Sequence, residues 1–301
     1  MKRTSNHRGV ALVSVLWVIV LLSIIASTLV VTVRTESTLA QELKASAQAR
    51  ALAEAGVFRG IFELLNPKQR ERWKGDGRAY RVRFGGGRVT IRLQDQGGLI
   101  DLNAARRDLL DALLRVNGAE EDVRASVVDA ILDWRDVNDL RSLHGAEDDD
   151  YVAAGRRYGA KDGLFNTVEE LQQVLGVRPA LYRRIAAALT VHSHQNGVDA
   201  RVAPPQVLKA VFIGDASGAD LETLQENAAK AEEDASLESQ EGELAAALDR
   251  RFLVRSEGII FTVTAEAKVP PYGAAHIEAT VKMTGNEGGL PYTIMTWKEG
   301  R

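Results

Sequence analysis

A chain of 301 residues, 45% hydrophobic and 26% charged, has the make-up of folded protein and room for more than one globular part. Its net charge of −3 gives no electrostatic case for nucleic acid as a partner. With no cysteine it holds neither disulfide staples nor thiolate metal sites, which suits an exported domain relying on its core or on a hard cation.

The first element is the uncharged run from Val10 to Val33. As a helix it reaches roughly 36 Å, enough to cross a bilayer core of about 30 Å. Lys2, Arg3 and Arg8 precede it, so the positive-inside bias keeps the N-terminus cytoplasmic and sends the rest across. No small-residue cleavage site follows the run, since Ile24 to Ala26 is not A-x-A-like. A plain signal anchor accounts for this much. However, Arg8-Gly9 directly followed by Val10-Ala11-Leu12-Val13-Ser14-Val15-Leu16-Trp17-Val18 resembles the class III signal of type IV pilins and type II secretion pseudopilins. That resemblance implies a leader, residues 1–9, removed after Gly9 by a membrane prepilin peptidase that methylates the new amino terminus, Val10. The transmembrane segment, residues 10–33, would stay as the assembly helix. Two positions depart from the family: Val10 stands where mature pilins generally have Phe, and Ser14 where most carry a Glu at the fifth residue.

From Arg34 to Leu65 the apolar positions Leu39, Leu43, Ala47, Leu52, Ala55, Ile61 and Leu65 recur at roughly helical spacing. The spacing predicts one long amphipathic helix continuing the anchor, straight or kinked near Arg34, and ended by Asn66-Pro67. Tyr80-Val82-Phe84 and Val89-Ile91-Leu93 alternate about Gly85-Gly86-Gly87, which predicts a hairpin with one face on that helix.

The period then turns helical for over a hundred residues. Leu99–Leu113 can be laid on Gly197–Val211, each opening with an apolar residue and an Asp (Ile100-Asp101, Val198-Asp199) before a helix. Asn103 of the first copy is replaced by Arg201 in the second. Between them, helices are expected at Glu120–Trp134, with Val123, Val127, Ala130, Ile131 and Trp134 inward. Two more are expected at Thr167–Leu175, with a Thr167/Glu170 capping box and Gly176 as its stop, and at Pro179–Val191. Leu171 to Arg178 with Arg184-Ile185 resembles half of a helix-hairpin-helix. Arg178 occupies the position of the second glycine, so a structural helix pair is the reading preferred over phosphate binding. Asp220 to Glu243, rich in Glu, Asp and Ala, reads as solvated helix. Strands return at Phe252–Val254, Ile259–Val263, Ile277–Met283 and Tyr292–Trp297, between good turn sequences that include Pro270–Gly273 and Asn286–Gly289.

The order of parts gives an α+β fold. A pilin-like long N-terminal helix packs on an antiparallel sheet, and a large all-α insertion of SAM or helix-hairpin-helix type interrupts it. The pilin-like parts are residues 34–95 and 249–301, and the insertion is 96–248. Leu99–Ala105, Ala130-Ile131-Leu132-Asp133-Trp134, Gly145-Ala146-Glu147-Asp148 and Val168-Glu169-Glu170-Leu171, with that order of parts, resemble the K-type minor pseudopilin of type II secretion systems. The resemblance implies a single-pass inner-membrane protein with its C-terminal domain in the periplasm. It would stand at the tip of the pseudopilus, with minor pseudopilins of the I and J types and the major pseudopilin as partners. Uncharged Ser14 agrees, because a tip subunit has no neighbour above it to pair with a carboxylate. Runner-up readings are a minor pilin of a type IV pilus and a membrane-anchored helix-hairpin-helix protein that binds DNA.

Asp133, Asp136, Asn138 and Asp139 with Glu147, Asp148, Asp149 and Asp150 repel one another unless solvated or gathered round a cation. Asp136, Asn138 and Glu147 fall at positions one, three and twelve of an EF-hand loop. Leu140 and Arg141 occupy five and six, so it is not an EF-hand. A solvated loop and a cation site both remain open on chemistry alone. The family resemblance implies calcium here, with Asp136, Asn138, Asp139, Glu147 and Asp148 as ligands. No catalytic residues are expected: His7, His144, His192, His194 and His276 form no HExxH, and GxSxG and P-loop motifs are absent.

Overall fold

The computed structural model describes residues 8–68, 72–212, 250–285 and 290–300, with side chains among them except at 8–11, 31–33 and 250. Residues 1–7 of the expected leader, the acidic stretch at 220–243 and the turn at 286–289 lie outside the described residues.

A single helix, α1, runs from Arg8 to Leu64 and is 57 residues long, about 86 Å at standard rise. No proline interrupts it, and Asn66-Pro67 follows its end. The strands β1 (Asp76–Phe84) and β2 (Gly87–Asp95) form the expected hairpin. Gly85 and Gly86, at φ +57° and +78°, make the two-residue turn that matches the twist of the strands. Much later come β5 (Ile260–Val269), β6 (Gly273–Met283) and β7 (Tyr292–Gly300). All five are antiparallel in the order β1-β2-β5-β6-β7. β2 therefore pairs with β5 across the whole intervening block, Ile91 opposite Ala265.

One face of this sheet carries Val89, Ile91, Leu93, Val263, Ala265, Ala267, Ile277, Ala279 and Val281, all buried against α1. The helix meets it with Ala45, Ala49, Leu52, Ala53, Val57, Ile61 and Leu64. This corrects the expected inward face: Leu39, Leu43, Ala47 and Ala55 point to solvent, and only Leu52 and Ile61 of the predicted set are buried. The reason is steric. A Cβ on Gly56 would stand 2.7 Å from Val89 Cγ1, and one on Gly60 2.7 Å from Val263 Cγ1. The helix lies so close to the sheet that glycine stands at the points of closest approach, with alanines beside them and Leu52, Val57, Ile61 and Leu64 filling the rest.

The block between β2 and β5 has its own core. It contains β3 (Ile100–Asp101), α2 (Arg107–Val116), α3 (Glu121–Arg135), α4 (Asp148–Ala153), α5 (Pro179–Ile185), β4 (Leu189–Thr190) and α6 (Pro205–Val211). It is not all-α, because β3 and β4 pair in parallel, Ile100 with Leu189 and Asp101 with Thr190. The predicted Pro179–Val191 helix ends early for this reason: Leu189 and Thr190 are drawn into the buried pair, where the Thr190 hydroxyl donates to Gln96 Oε1 at 2.5 Å. Val168–Gln173 is a 3₁₀ turn rather than an α-helix. Its capping box is not made, since the Glu170 carboxylate accepts from Asn166 N–H and Lys161 instead. Phe252–Val254 contributes only a single bridge, Val198 with Leu253.

The internal echo is structural. Asp101 and Asp199 are both buried and each turns the chain: Asp101 Oδ1 accepts from Asn103 and Ala104 N–H, Asp199 Oδ1 from Arg201 N–H. Where Asn103 bonds both ways with the backbone of Phe165, Arg201 forms an ion pair with Asp199.

Candidate functional site: an assembly helix and an acidic loop

Two features stand out chemically. The first is the outer side of α1. Leu39 (55% exposed), Leu43 (64%), Phe58 (41%) and Phe62 (62%), with exposed Ala47, Ala51 and Ala55 between them, recur every three or four residues. They form an exposed apolar stripe along α1, with Phe58 at its sheet-side margin, 6.3 Å between ring centroids from Trp297 of β7, and it leads down to a segment from Leu12 with every large apolar residue exposed. That segment makes α1 long and apolar enough to cross a membrane. Gly9 and Val10 lie in the first turns of α1, and Ser14 is exposed on it. A solvent-facing stripe this continuous is a surface built to be covered.

The second feature is the loop after α3. Asp136 ends that helix, and its Oδ1 accepts from Asn138 N–H and Nδ2 at 3.0 and 2.7 Å. Asn138 Oδ1 in turn accepts from Leu140 N–H, so the amide is engaged in shaping the loop. Asp133 is wholly buried and accepts from Ser142 N–H. Gly145 lies against its carboxylate so closely that a Cβ there would overlap it, and Gly159 is placed likewise against Asp148. Glu147 is 9% exposed, and its Oε1 is buried with no hydrogen-bond partner. Asp162, at φ +51°, also buries an unpartnered Oδ1.

The electrostatics follow from this burial. Desolvation, then the charges of Asp133, Asp162, Asp136 and Asp139, push the Glu147 carboxyl up to about 7. Desolvation, then Asp148, Asp139 and Asp136, raise Asp162. Thus Asp136 and Asp139 bear on both Glu147 and Asp162, joined by Asp133 at the first and by Asp148 at the second. The sequence reading missed Asp162, which sits in an ordinary Lys161-Asp162-Gly163 turn with no spacing signal. Asp150 is drawn off by Arg141 at 2.9 Å. Among the described residues no three carboxylates or imidazoles converge, as they stand, at metal-binding geometry. The donor set nevertheless fits a hard cation: all oxygen, with two buried carboxylate oxygens lacking any donor.

The half helix-hairpin-helix is a packing device. Gly176, at φ +85°, packs its turn on α3, where a Cβ would stand 3.2 Å from Val127 Cγ2, and Arg178 precedes α5 without capping it.

Residues 91–194 match the family described as type II secretion system (T2SS), protein K. The type II secretion system protein K of Pectobacterium carotovorum subsp. carotovorum is 27% identical over 206 residues, 60% of this chain and 62% of that protein. The protein of the same name from Pseudomonas aeruginosa is 27% identical over 137 residues, 42% of this chain and 41% of that one. The chain's match thus spans less than two thirds of the length of either relative. In fold, the chain is similar to a chain in the crystal structure of the GspK-GspI-GspJ complex of the enterotoxigenic Escherichia coli type 2 secretion system. The TM-score is 0.56 at 16% identity, over 90% of this chain and 99% of that one.

Proposed function

We propose that the chain is a member of the protein K family of the type II secretion system, which its residues 91–194 match, and that it is a minor pseudopilin at the tip of the pseudopilus, helping to initiate or cap its assembly for protein export. The observation that carries this reading is the exposed stripe Leu39-Leu43-Ala47-Ala51-Ala55-Phe58-Phe62 on α1. A helix whose inner face is spent on the sheet and whose outer face is apolar has its free side ready for other helices. The partners are minor pseudopilins of the I and J types, then the major pseudopilin. Residues 10–33 anchor the chain once through the inner membrane, with the remainder in the periplasm. Prepilin peptidase cuts after Gly9, and Val10 becomes the methylated terminus.

Two features support the tip. Ser14 supplies no charge for a neighbour's amino terminus, and a carboxylate at that depth costs about 2.5–3.5 kcal/mol unless paired. The block between β2 and β5 adds bulk that obstructs stacking on that side. The acidic loop is read as a calcium site: Asp136, Asp139, Glu147 and Asp148, with Asn138 shaping the loop and Asp133 and Asp162 beside it, would hold the ion. Calcium would supply the positive charge that the loop lacks and stiffen it.

The test is co-extraction of the full chain in detergent with I- and J-type minor pseudopilins. Leu43→Glu with Phe62→Glu should abolish it and leave the thermal unfolding of the chain nearly unchanged, since both side chains are exposed. Undiminished co-extraction of this double variant would overturn the stripe as the assembly face.

A further inference from the structure

On the sheet face turned away from α1, three cations stand directly opposite one another across three strands. Arg83 of β1 pairs with Arg88 of β2, and Arg88 with Lys268 of β5. All three are exposed, and the next residue in the row, Ala274 of β6, brings no charge. Like charges in direct register are unfavourable in a sheet. Elsewhere on this face Arg92 meets Glu266 at 3.3 Å, and Lys298 meets Glu169 at 2.7 Å and Glu278 at 3.9 Å. Among the described residues Arg83, Arg88 and Lys268 have no ion pair, and Arg81 adds a fourth exposed cation one row away. A shallow recess of about 460 Å³ lies among them, lined by Arg83, Phe84, Gly86, Gly87, Arg88 and Pro270. Beside it Tyr272 is 61% exposed.

The position of the row identifies what it faces. The hairpin turn packs on α1 at Gln48 and Leu52, Gln48 Nε2 donating to Gly85 O, and Gly273 lies against the Ala45 backbone. This is the end of the sheet nearest the apolar segment. The opposite end of the same face is covered, Gln94 Nε2 donating to Val202 O and Gln96 Nε2 to Thr262 Oγ1. From Val33 to Gln48 the helix rises roughly 22 Å. The row stands about 10 Å off the helix axis, plus the reach of an extended arginine. A tilt of about 40°, the upper end of the range for membrane helices, swings it into a headgroup layer some 5–8 Å deep.

We propose that Arg83, Arg88 and Lys268, with Arg81 and Tyr272, dock on anionic lipid headgroups of the bilayer that anchors α1. The cations take the phosphates, the recess offers Pro270 to the glycerol region, and Tyr272 sits at the interface as aromatic residues do. Docking holds the unassembled subunit tilted with its α1 stripe at a fixed angle to the membrane. Extraction into a filament must break these contacts. The proposal rests on residues 10–33 being the membrane anchor.

The chain has no cysteine, so Ala274→Cys gives a unique labelling site next to Lys268. The labelled full chain is placed in bilayer discs of phosphatidylcholine alone, or with about a third phosphatidylglycerol, each carrying a headgroup quencher. Quenching should be several-fold stronger in the anionic discs. It should fall to the phosphatidylcholine level with Arg83→Glu plus Arg88→Glu, and also in about 1 M salt, where the screening length is about 3 Å. Should that variant not fold, Arg88→Gln with Lys268→Gln reads the same loss. Equal quenching in both lipids, or quenching indifferent to these substitutions, overturns the proposal. So does full competition by inorganic phosphate at constant ionic strength, which would mark a free-anion site, or shielding of the label only when an acidic protein partner is added. Incorporation into the phosphatidylcholine discs reports the anchor separately, so failure there counts against the anchor and not the docking face.

Discussion

The helix–sheet unit and the block inserted between β2 and β5 are held together in different ways. The first is closed by small and branched apolar residues: Ala45, Ala49, Ala53, Gly56 and Gly60 of α1 against Val89, Ile91, Val263 and Ala265. The second has an apolar core as well, yet it also buries Asp101, Asp129, Asp133, Glu147 and Asp199. Four of those acids are answered. Asp101 accepts from four groups, Asp199 from Arg201 and Ser256, Asp133 from Ser142 N–H, and Asp129 from His144 N–H with Arg107 beside it. Glu147 Oε1 is not answered, and neither is Oδ1 of Asp162. Packing defects should therefore break the helix–sheet unit, and loss of charge partners should break the insertion.

The largest effect should come from Gly60→Val. It adds a branched side chain where even a Cβ meets Val263 at 2.7 Å and Leu93 at 3.0 Å. A loss of about 3 kcal/mol, at the high end for overpacking, is expected from denaturant unfolding. A loss below about 1 kcal/mol would mean that α1 is not so tightly seated.

Next, Asp101→Ala strands the N–H groups of Asn103, Ala104 and His194 and the Ser193 hydroxyl. Roughly 2–3 kcal/mol should be lost. The equivalent Asp199→Ala should cost a comparable amount, since it frees buried Asp199 partners in the second copy of the turn. A neutral outcome at both would show that the echoed turns are held by the chain around them.

Calcium sharpens the contrast. At a hundred times its dissociation constant it should raise stability by about 2.7 kcal/mol, read as a higher melting temperature than with chelator. Magnesium should substitute poorly, because it sheds its waters reluctantly. In chelator, Glu147→Gln should be neutral or stabilising, since it removes a buried, repelled charge. With calcium it should lose most of the gain. A melting curve indifferent to chelator would end the calcium reading and leave the assembly reading standing.

The smallest effect is a pH slope. Burial holds His192 below the ordinary imidazole value, against the opposing pull of Asp101. The fold favours the neutral ring, so this contribution is complete above the unfolded value near 6.5 and is lost as pH falls through the lower folded value. His192→Asn should flatten the slope below pH 6.5. An unchanged slope would assign the acid sensitivity elsewhere.

Much of the fold was legible from local chemistry. The uncharged run, the unbroken helix to Leu64, the Gly85-Gly86 turn, the alternation of β1, β2 and β6 and the Ile100-Asp101/Val198-Asp199 echo are all written within a few residues of themselves. Periodicity and turn propensity depend on neighbours, so sequence reads them. It did not read which face of α1 is inward. Counting leucines favoured Leu39 and Leu43, whereas the sheet selects Ala49, Ala53, Gly56 and Gly60 because only they allow its approach. The 3₁₀ turn at Val168–Gln173 and the β3–β4 pair were likewise hidden, each set by what the chain packs against.

The sequence by itself determined the long apolar run, the length of α1 and the chemical character of the acidic loop, because charge, apolar run length and turn residues act locally. Only the tertiary structure decided that β2 should pair with β5, Arg92 reaching Glu266 174 residues later, and that Asp162 should join Glu147. It also decided that Arg83, Arg88 and Lys268 should share a row. The reason is common to all three. Closing a long loop is entropically costly and is rewarded only by contacts that the completed core makes available.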